Sequence, residues 1–144
     1  MKWITRAHIH VDRVACPWLI TRFIDADAEF IFVAAGLVNK VAAELDAIPF
    51  DAPGVELGHQ DGHCSFVTII NKYGLKDKAL LKLAEAVDAA DTGRMGDNPY
   101  AGGLEAVASG FGVRFPDDHE NLDNQFGVYD ALYAYFRTQG EKVK

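Results

Sequence analysis

The chain has 144 residues, the usual length of one domain built around one hydrophobic core. Hydrophobic residues make up 49% of the chain and charged residues 24%, which excludes the composition of a disordered protein. The net charge of -7 excludes a basic face for nucleic-acid phosphates. We expect a cytoplasmic protein, because the sequence has neither a signal peptide nor an apolar run of membrane length.

The amino-terminal half alternates strand and helix patterns. Alternating residues predict a first strand over residues 3–11, on which His8 and His10 share one face. A proline at the start of the next apolar pattern suits the first turn of a helix, which places Cys16 at or near the N-cap. The other elements predicted here are a strand over residues 29–33, a helix over residues 37–45 and a short strand over residues 48–51.

The carboxyl-terminal half has helical patterns throughout. Helices are predicted over residues 66–73, 79–90 and 99–109, the last ended by the glycines at 110 and 112. Asp117 and Glu120 have capping-box spacing for a final helix with an apolar stripe. The stripe consists of Leu122, Phe126, Tyr129, Tyr133 and Phe136. We therefore predict an α/β or α+β fold: one predominantly helical domain over residues 1–144, with a small sheet from the amino-terminal half.

The densest group of potential metal ligands lies at residues 56–64. Imidazole, thiolate and carboxylate groups are the side-chain donors that hold zinc, copper, nickel or iron. The candidate donors are Glu56, His59, Asp61, His63 and Cys64. The spacing matches no standard zinc pattern, and the alternative is a polar hairpin that faces water. The metal would be a divalent transition metal such as Zn or Fe.

Donors from distant segments would have to complete such a metal site. The candidates are His8, His10, Asp91 and His119. Each has a simpler alternative role, since strand histidines are often exposed, Asp91 can end a helix, and His119 lies beside a predicted helix cap.

A second candidate site lies within residues 12–22. A cysteine at a helix N-terminus gains thiolate character from the helix dipole, and Arg13 would lower its pKa further. Arg13 and Arg22 offer directional donors to a tetrahedral anion or a carboxylate. We therefore take Cys16 as a candidate catalytic residue and both arginines as candidate anion-binding residues. The alternatives are a buried structural cysteine and a surface ion pair of Arg22 with a nearby aspartate.

The same segment carries a resemblance to a known family. Residues 11–25 and 28–30 resemble the start of the chromate-resistance domain that forms the carboxyl-terminal part of ChrB proteins. Further similar motifs follow in the expected order at residues 49–56, 59, 64–66, 90–92, 115–119 and 128–134. The resemblance covers nearly the whole chain and implies a role in chromate response or resistance. Longer family members look like chromate-responsive regulators of a chromate-efflux operon.

The resemblance also selects among the candidate ligands. The preferred metal ligands are Glu56, His59, Cys64, Asp91 and His119. Asp61 and His63 then become bystanders in the same loop.

Two functional hypotheses follow from these residues. The first is a sensor or binding domain that captures an oxyanion or a metal ion and shifts a partner or a homo-oligomer interface. The second is a metal-dependent enzyme with redox or hydrolytic activity, and the sequence leaves the choice open. We favour binding, because the sequence has no dinucleotide fingerprint, haem motif or iron–sulfur spacing, and we expect no nucleic-acid or membrane partner.

Overall fold

The computed structural model describes residues 1–142, and within them the chain forms three strands, six α-helices and two short 3-10 helices. The strands are β1 (Lys2–Arg6), β2 (Glu29–Val33) and β3 (Ile48–Pro49). The helices are α1 (Asp12–Phe23), α2 (Val38–Leu45), α3 (Ser65–Lys72), α4 (Lys78–Asp91), α5 (Ala101–Arg114) and α6 (Asp118–Lys142). The predicted fold class, a mainly helical domain with a small amino-terminal sheet, is confirmed. Residues 143 and 144 of the predicted domain lie outside the described residues.

The sheet is small and entirely parallel. Its strand order is β2-β1-β3, so that the first strand lies between the other two. The central strand buries Trp3, Ile4 and Thr5, which suits a strand covered on both faces. Because the strands are parallel, their carboxyl ends meet at one edge, and the chain leaves that edge at Arg6, Val33 and Pro49.

Helix α1 lies in the middle of the molecule and is buried on nearly all sides. Its Trp18 packs against Tyr129 and Tyr133 of α6, with ring centroids 6.2 Å and 5.8 Å apart. Tyr129 also donates a hydrogen bond from its hydroxyl to the carbonyl oxygen of Val11, at 3.2 Å. The predicted apolar stripe of α6 thus supplies three buried core residues, Leu122, Tyr129 and Phe136.

Three predicted boundaries are wrong. Strand β1 ends at Arg6, because His8 adopts a left-handed backbone with φ of 62°, so His8 and His10 lie on no strand face. Helix α1 begins at Asp12, which places Cys16 in its second turn rather than at its N-cap. Helix α5 continues past residue 109, since the N–H of Phe115 still donates to the carbonyl oxygen of residue 111 at 2.8 Å.

Two aspartates cap helices, and Asp117 does so at the position that the capping-box spacing predicts. The carboxylate of Asp117 accepts a hydrogen bond from the N–H of Glu120 at 3.0 Å, and the carboxylate of Asp77 accepts one from the N–H of Leu80 at 2.9 Å. These two caps start α6 and α4. Among the described residues, no helix combines the length and the apolar character needed to cross a membrane.

Two leucines of α4 provide a test of the core. Leu83 is fully buried and Leu81 is 42% exposed, although both lie on the same helix. We expect Leu83→Ala to lower the free energy of unfolding by about 2–5 kcal/mol, because it leaves a cavity in the core. The matched control Leu81→Ala should cost less than about 1 kcal/mol. Urea titration followed by circular dichroism measures both, and equal losses would contradict the described packing.

Candidate functional site

Four side chains converge near the carboxyl edge of the sheet. Asp12 begins α1, Asp51 follows β3, His59 lies in the loop before α3, and Asp91 ends α4. The imidazole Nε2 of His59 is 3.0 Å from Asp91 Oδ2, 3.4 Å from Asp51 Oδ1 and 3.8 Å from Asp12 Oδ2. We call these four residues the His59 cluster. Its imidazole is about half exposed and covers a largely buried group of carboxylates.

Asp12 is held rigidly inside the protein. Its side chain is 1% exposed, and its two oxygens accept hydrogen bonds from the N–H groups of Ser65 at 2.8 Å and Phe66 at 3.1 Å. The thiol of Cys16 lies 3.4 Å from Oδ1 and donates to it. Asp12 therefore caps α3 from the first turn of α1, where the positive end of the α3 dipole favours its negative charge.

Asp51 connects the cluster to two arginines. Its backbone has a left-handed φ of 45°, which turns the chain sharply after β3. Its Oδ1 accepts a hydrogen bond from the Ser65 hydroxyl at 2.9 Å. Its Oδ2 lies 3.5 Å from Arg6 and 3.6 Å from Arg13. The carboxylate of Asp51 therefore stands between His59 on one side and two guanidinium groups on the other.

The carboxylates of the cluster are crowded and poorly solvated. Burial raises the pKa of Asp12 well above its ordinary value, and the negative charges of Asp51 and Asp91 raise it further. Burial also raises the pKa of Asp91, as does the charge of Asp51, whereas the nearby His59 opposes the shift. Like charges held this close favour the uptake of a proton or a cation.

Three residues of the cluster offer donor atoms that lie close enough together to share one metal ion. One donor atom each from Asp12, His59 and Asp91 lies within 4.8 Å of the others. Around a zinc ion, oxygen and nitrogen donors lie at about 2.0–2.2 Å, which sets them about 3–4 Å from one another. Small side-chain movements would bring the three atoms to those distances. One imidazole and two carboxylates suit zinc or iron better than a soft ion such as Cu(I).

The structure brings together two of the five predicted metal ligands, His59 and Asp91. Glu56 is exposed and forms an ion pair with Lys72. Cys64 is buried, and burial raises the pKa of its thiol, while its N–H donates to Asp88 at 2.8 Å. The rings of His119 and Phe32 form a T-shaped pair, with centroids 5.0 Å apart. Among the described residues, none of these three belongs to the group of donors around His59.

His63 has a separate partner outside the cluster. Its Nδ1 lies 2.7 Å from Asp88 Oδ2, and Arg94 donates to the same oxygen at 2.8 Å. His63 therefore pairs with Asp88, which is not one of the aspartates of the His59 cluster. His8 is exposed, and His10 pairs with Glu105 at 2.9 Å.

The two arginines predicted to bind an anion lie far apart. They are separated by nine positions of α1, which corresponds to about 14 Å along the helix axis. Arg22 makes a bidentate pair with Asp130, at 3.0 Å and 2.9 Å. Arg13 lies at the other end of the helix and donates to the carbonyl oxygen of His8 at 2.9 Å. Arg13 and Arg22 therefore face different surroundings.

Cys16 occupies a core position. It is 0% exposed, and burial raises the pKa of its thiol well above the ordinary value, with the negative charges of Asp12 and Asp51 adding to the effect. This environment favours the neutral thiol, the opposite of the activation predicted for a cysteine at a helix N-terminus.

The sequence patterns do not indicate Asp12 and Asp51 as members of the site. The one signal available for Asp51 was its position as the last residue of a predicted strand, since the carboxyl ends of parallel strands gather at one edge. Asp12 stood in the motif of residues 11–25, but nothing in the sequence indicated that its side chain points inward.

A cavity of about 270 Å³ opens beside the cluster. Its lining includes Arg6, Asp51 and His59, together with residues 52–55 and Gly58. A small ligand in this cavity would contact both the imidazole and a guanidinium group.

Comparison with known proteins places the chain in a family. Residues 3–136 match the family model described as "ChrB, C-terminal domain". The chain belongs to this family. The predicted resemblance to the chromate-resistance domain of ChrB proteins is thereby confirmed.

One relative is Protein ChrB of Cupriavidus metallidurans, which is 38% identical to the chain over 138 residues. The match covers 94% of this chain but 40% of that protein, so the chain spans about two fifths of the relative's length. No solved structure was found to match the chain.

The buried thiols lead to a chemical prediction. In the native protein, we expect Cys16 and Cys64 to react with a thiol reagent such as DTNB far more slowly than in guanidinium chloride, because burial raises both pKa values. The Cys16→Ala and Cys64→Ala variants assign the reaction to each site. Rapid native labelling of the Cys64→Ala variant would instead support a reactive Cys16.

The ion pair of Arg22 leads to a pH prediction. The hydrogen bond from Arg22 lowers the pKa of Asp130 below 3.8, so its ionised form stabilises the fold at neutral pH. This stabilisation is complete above pH 3.8 and is lost as the pH falls through the lower pKa of the folded state. Asp130→Asn should therefore destabilise the protein near neutral pH and less so below pH 3.8.

Urea titrations near pH 7 and near pH 3 measure this difference. Asp123→Asn, at an exposed position of the same helix, is the matched control. A loss of stability in Asp130→Asn that is the same at both pH values would contradict the ion-pair explanation.

Proposed function

We propose that this domain binds one divalent transition-metal ion through Asp12, His59 and Asp91, and that it acts as a binding or sensor domain in the response to chromate. The observation that carries the proposal is the convergence of these three donors, from distant parts of the chain, within 4.8 Å. Membership of the ChrB family supports the physiological context.

The charge balance of the cluster supports a cation as the ligand. Asp12 and Asp91 are pushed toward protonation by burial and by the charge of Asp51. A divalent ion would offset these charges and allow both carboxylates to remain ionised. The backbone N–H groups that donate to Asp12 would hold its carboxylate in the orientation needed to bind the ion.

The three donors come from three different segments of the chain, and this favours a sensor function. Asp12 comes from α1 and contacts the first turn of α3, Asp91 comes from the end of α4, and His59 comes from a loop. A bound ion would hold these segments together. It would also raise the free energy of unfolding, because the ion binds the folded state and not the unfolded chain. The surface then presented to a partner or to a second copy would depend on metal occupancy. A cytoplasmic location and self-association remain predictions.

A second candidate function, metal-dependent catalysis, is favoured by the cavity beside His59. Three protein ligands leave a coordination position open, as in catalytic rather than structural zinc sites. The cavity of about 270 Å³ would give a substrate access to that position. A metal held there would supply Lewis-acid chemistry, while Arg6 would orient an anionic substrate.

Metal titration tests the proposed function. We expect tag-free protein, stripped with a chelator, to bind Zn²⁺ or Fe²⁺ at one ion per chain in calorimetry and elemental analysis. The variants His59→Ala and Asp91→Asn should lose stoichiometric binding, because each removes one of three ligands. We also expect metal to raise the melting temperature of the wild-type protein.

Two predicted ligands that lie outside the cluster serve as controls. Glu56→Gln and His119→Ala should bind metal as the wild type does, since neither residue contributes to the group around His59. The proposal fails if the wild type binds no metal, or if His59→Ala and Asp91→Asn both retain stoichiometric binding.

A further inference from the structure

The second feature of the site is a pair of arginines with unused hydrogen-bonding capacity. Arg6 and Arg13 both approach Asp51, but their closest guanidinium-to-carboxylate distances are 3.5 Å and 3.6 Å. The pair of Arg22 with Asp130 in the same protein shows two short contacts of 3.0 Å and 2.9 Å. Asp51 therefore engages neither Arg6 nor Arg13 in the close, bidentate manner that guanidinium groups favour.

Arg13 is incompletely satisfied in a second respect. Its Nε is buried and has no hydrogen-bond partner among the described residues. Its terminal nitrogen donates to the carbonyl oxygen of His8 at 2.9 Å, which leaves further N–H groups available. Arg6 donates through Nε to the backbone carbonyl oxygen of Asp51 at 2.9 Å. Buried donors without partners are uncommon in folded proteins, and this nitrogen leaves Arg13 with hydrogen-bonding capacity that its described neighbours do not use.

Both arginines line one cavity of about 410 Å³. The other lining residues are Ala7, His8, Ala34 and Ala35. The alanine side chains are short and fill little of the space between the lining residues. The cavity lies where the chain leaves the carboxyl ends of β1 and β2, the edge at which ligands bind in sheets with parallel strands.

Charge and size define the class of ligand. The two guanidinium groups carry two positive charges, and they share the one carboxylate of Asp51. A cavity of about 410 Å³ has more room than one tetrahedral anion needs and is within the size range of small-molecule sites. We propose that Arg6 and Arg13 form an anion subsite that binds the phosphate or carboxylate group of a small organic molecule.

This subsite is distinct from the proposed metal site. Arg6 and Arg13 offer only donors, whereas Asp12, His59 and Asp91 are the candidate metal ligands. The two proposals can therefore fail separately. Anion binding is measured on protein that has been stripped of metal with EDTA and then dialysed free of it, so that no result can arise from an anion coordinated to a metal or from competition by the carboxylates of EDTA.

Calorimetric titration with phosphoglycolate and with inorganic phosphate tests the proposal. We expect phosphoglycolate to bind more tightly than phosphate, because its organic part occupies space in front of the arginines. Arg6→Gln should weaken phosphoglycolate binding by roughly tenfold or more, since it removes a charge-assisted contact. Arg22→Gln is the matched control and should bind as the wild type does, because Arg22 pairs with Asp130.

A variant that keeps both arginines provides an independent check. Ala34→Leu places a larger side chain in the lining of the cavity and should weaken phosphoglycolate binding more than phosphate binding. The proposal is overturned if the wild type binds neither probe, or if Arg6→Gln binds both as the wild type does. If Arg6→Gln does not fold, unchanged phosphoglycolate binding by Ala34→Leu overturns it. Equal affinity of the wild type for phosphoglycolate and for phosphate would overturn the proposal that the ligand is an organic molecule.

Discussion

The arrangement of the site depends on one buried carboxylate, that of Asp12. It accepts hydrogen bonds from the first two N–H groups of α3 while its own backbone begins α1, so one side chain joins the starts of two helices. Burying a charge costs several kcal/mol unless hydrogen bonds or a counter-charge offset it. The amides and the Cys16 thiol supply part of that compensation, and the imidazole of His59 lies 3.8 Å from the same carboxylate.

Charges of opposite sign lie on opposite sides of Asp51. Arg6 and Arg13 lie on one side of Asp51, and the carboxylates of Asp12 and Asp91 lie on the other. Asp51 is the carboxylate that both arginines share, whereas Asp12 and Asp91 have no arginine within ion-pair distance in the described part of the chain. Buried, like-charged groups of this kind are common at functional sites.

The local parts of this structure could be read from the sequence, and the long-range parts could not. Helical periodicity predicted α4 and the stripe of α6, because those patterns depend on neighbouring residues. Pro17 suits the first turn of a helix but here lies inside α1, so the prediction placed Cys16 at the start of the helix and not in its second turn. His59 and Asp91 were named as candidates, but their approach to Asp12 depends on how α1, α3 and α4 pack, which no local pattern encodes.

The left-handed turn at Asp51 has a thermodynamic consequence. The turn fixes one carboxylate so that its Oδ1 lies near His59 while its Oδ2 lies near Arg6 and Arg13. An ion at the proposed metal site and an anion at the proposed arginine subsite would both change the electric field at this one group. Their affinities would then be linked, and linkage is reciprocal: whatever the ion does to the affinity for the anion, the anion does equally to the affinity for the ion.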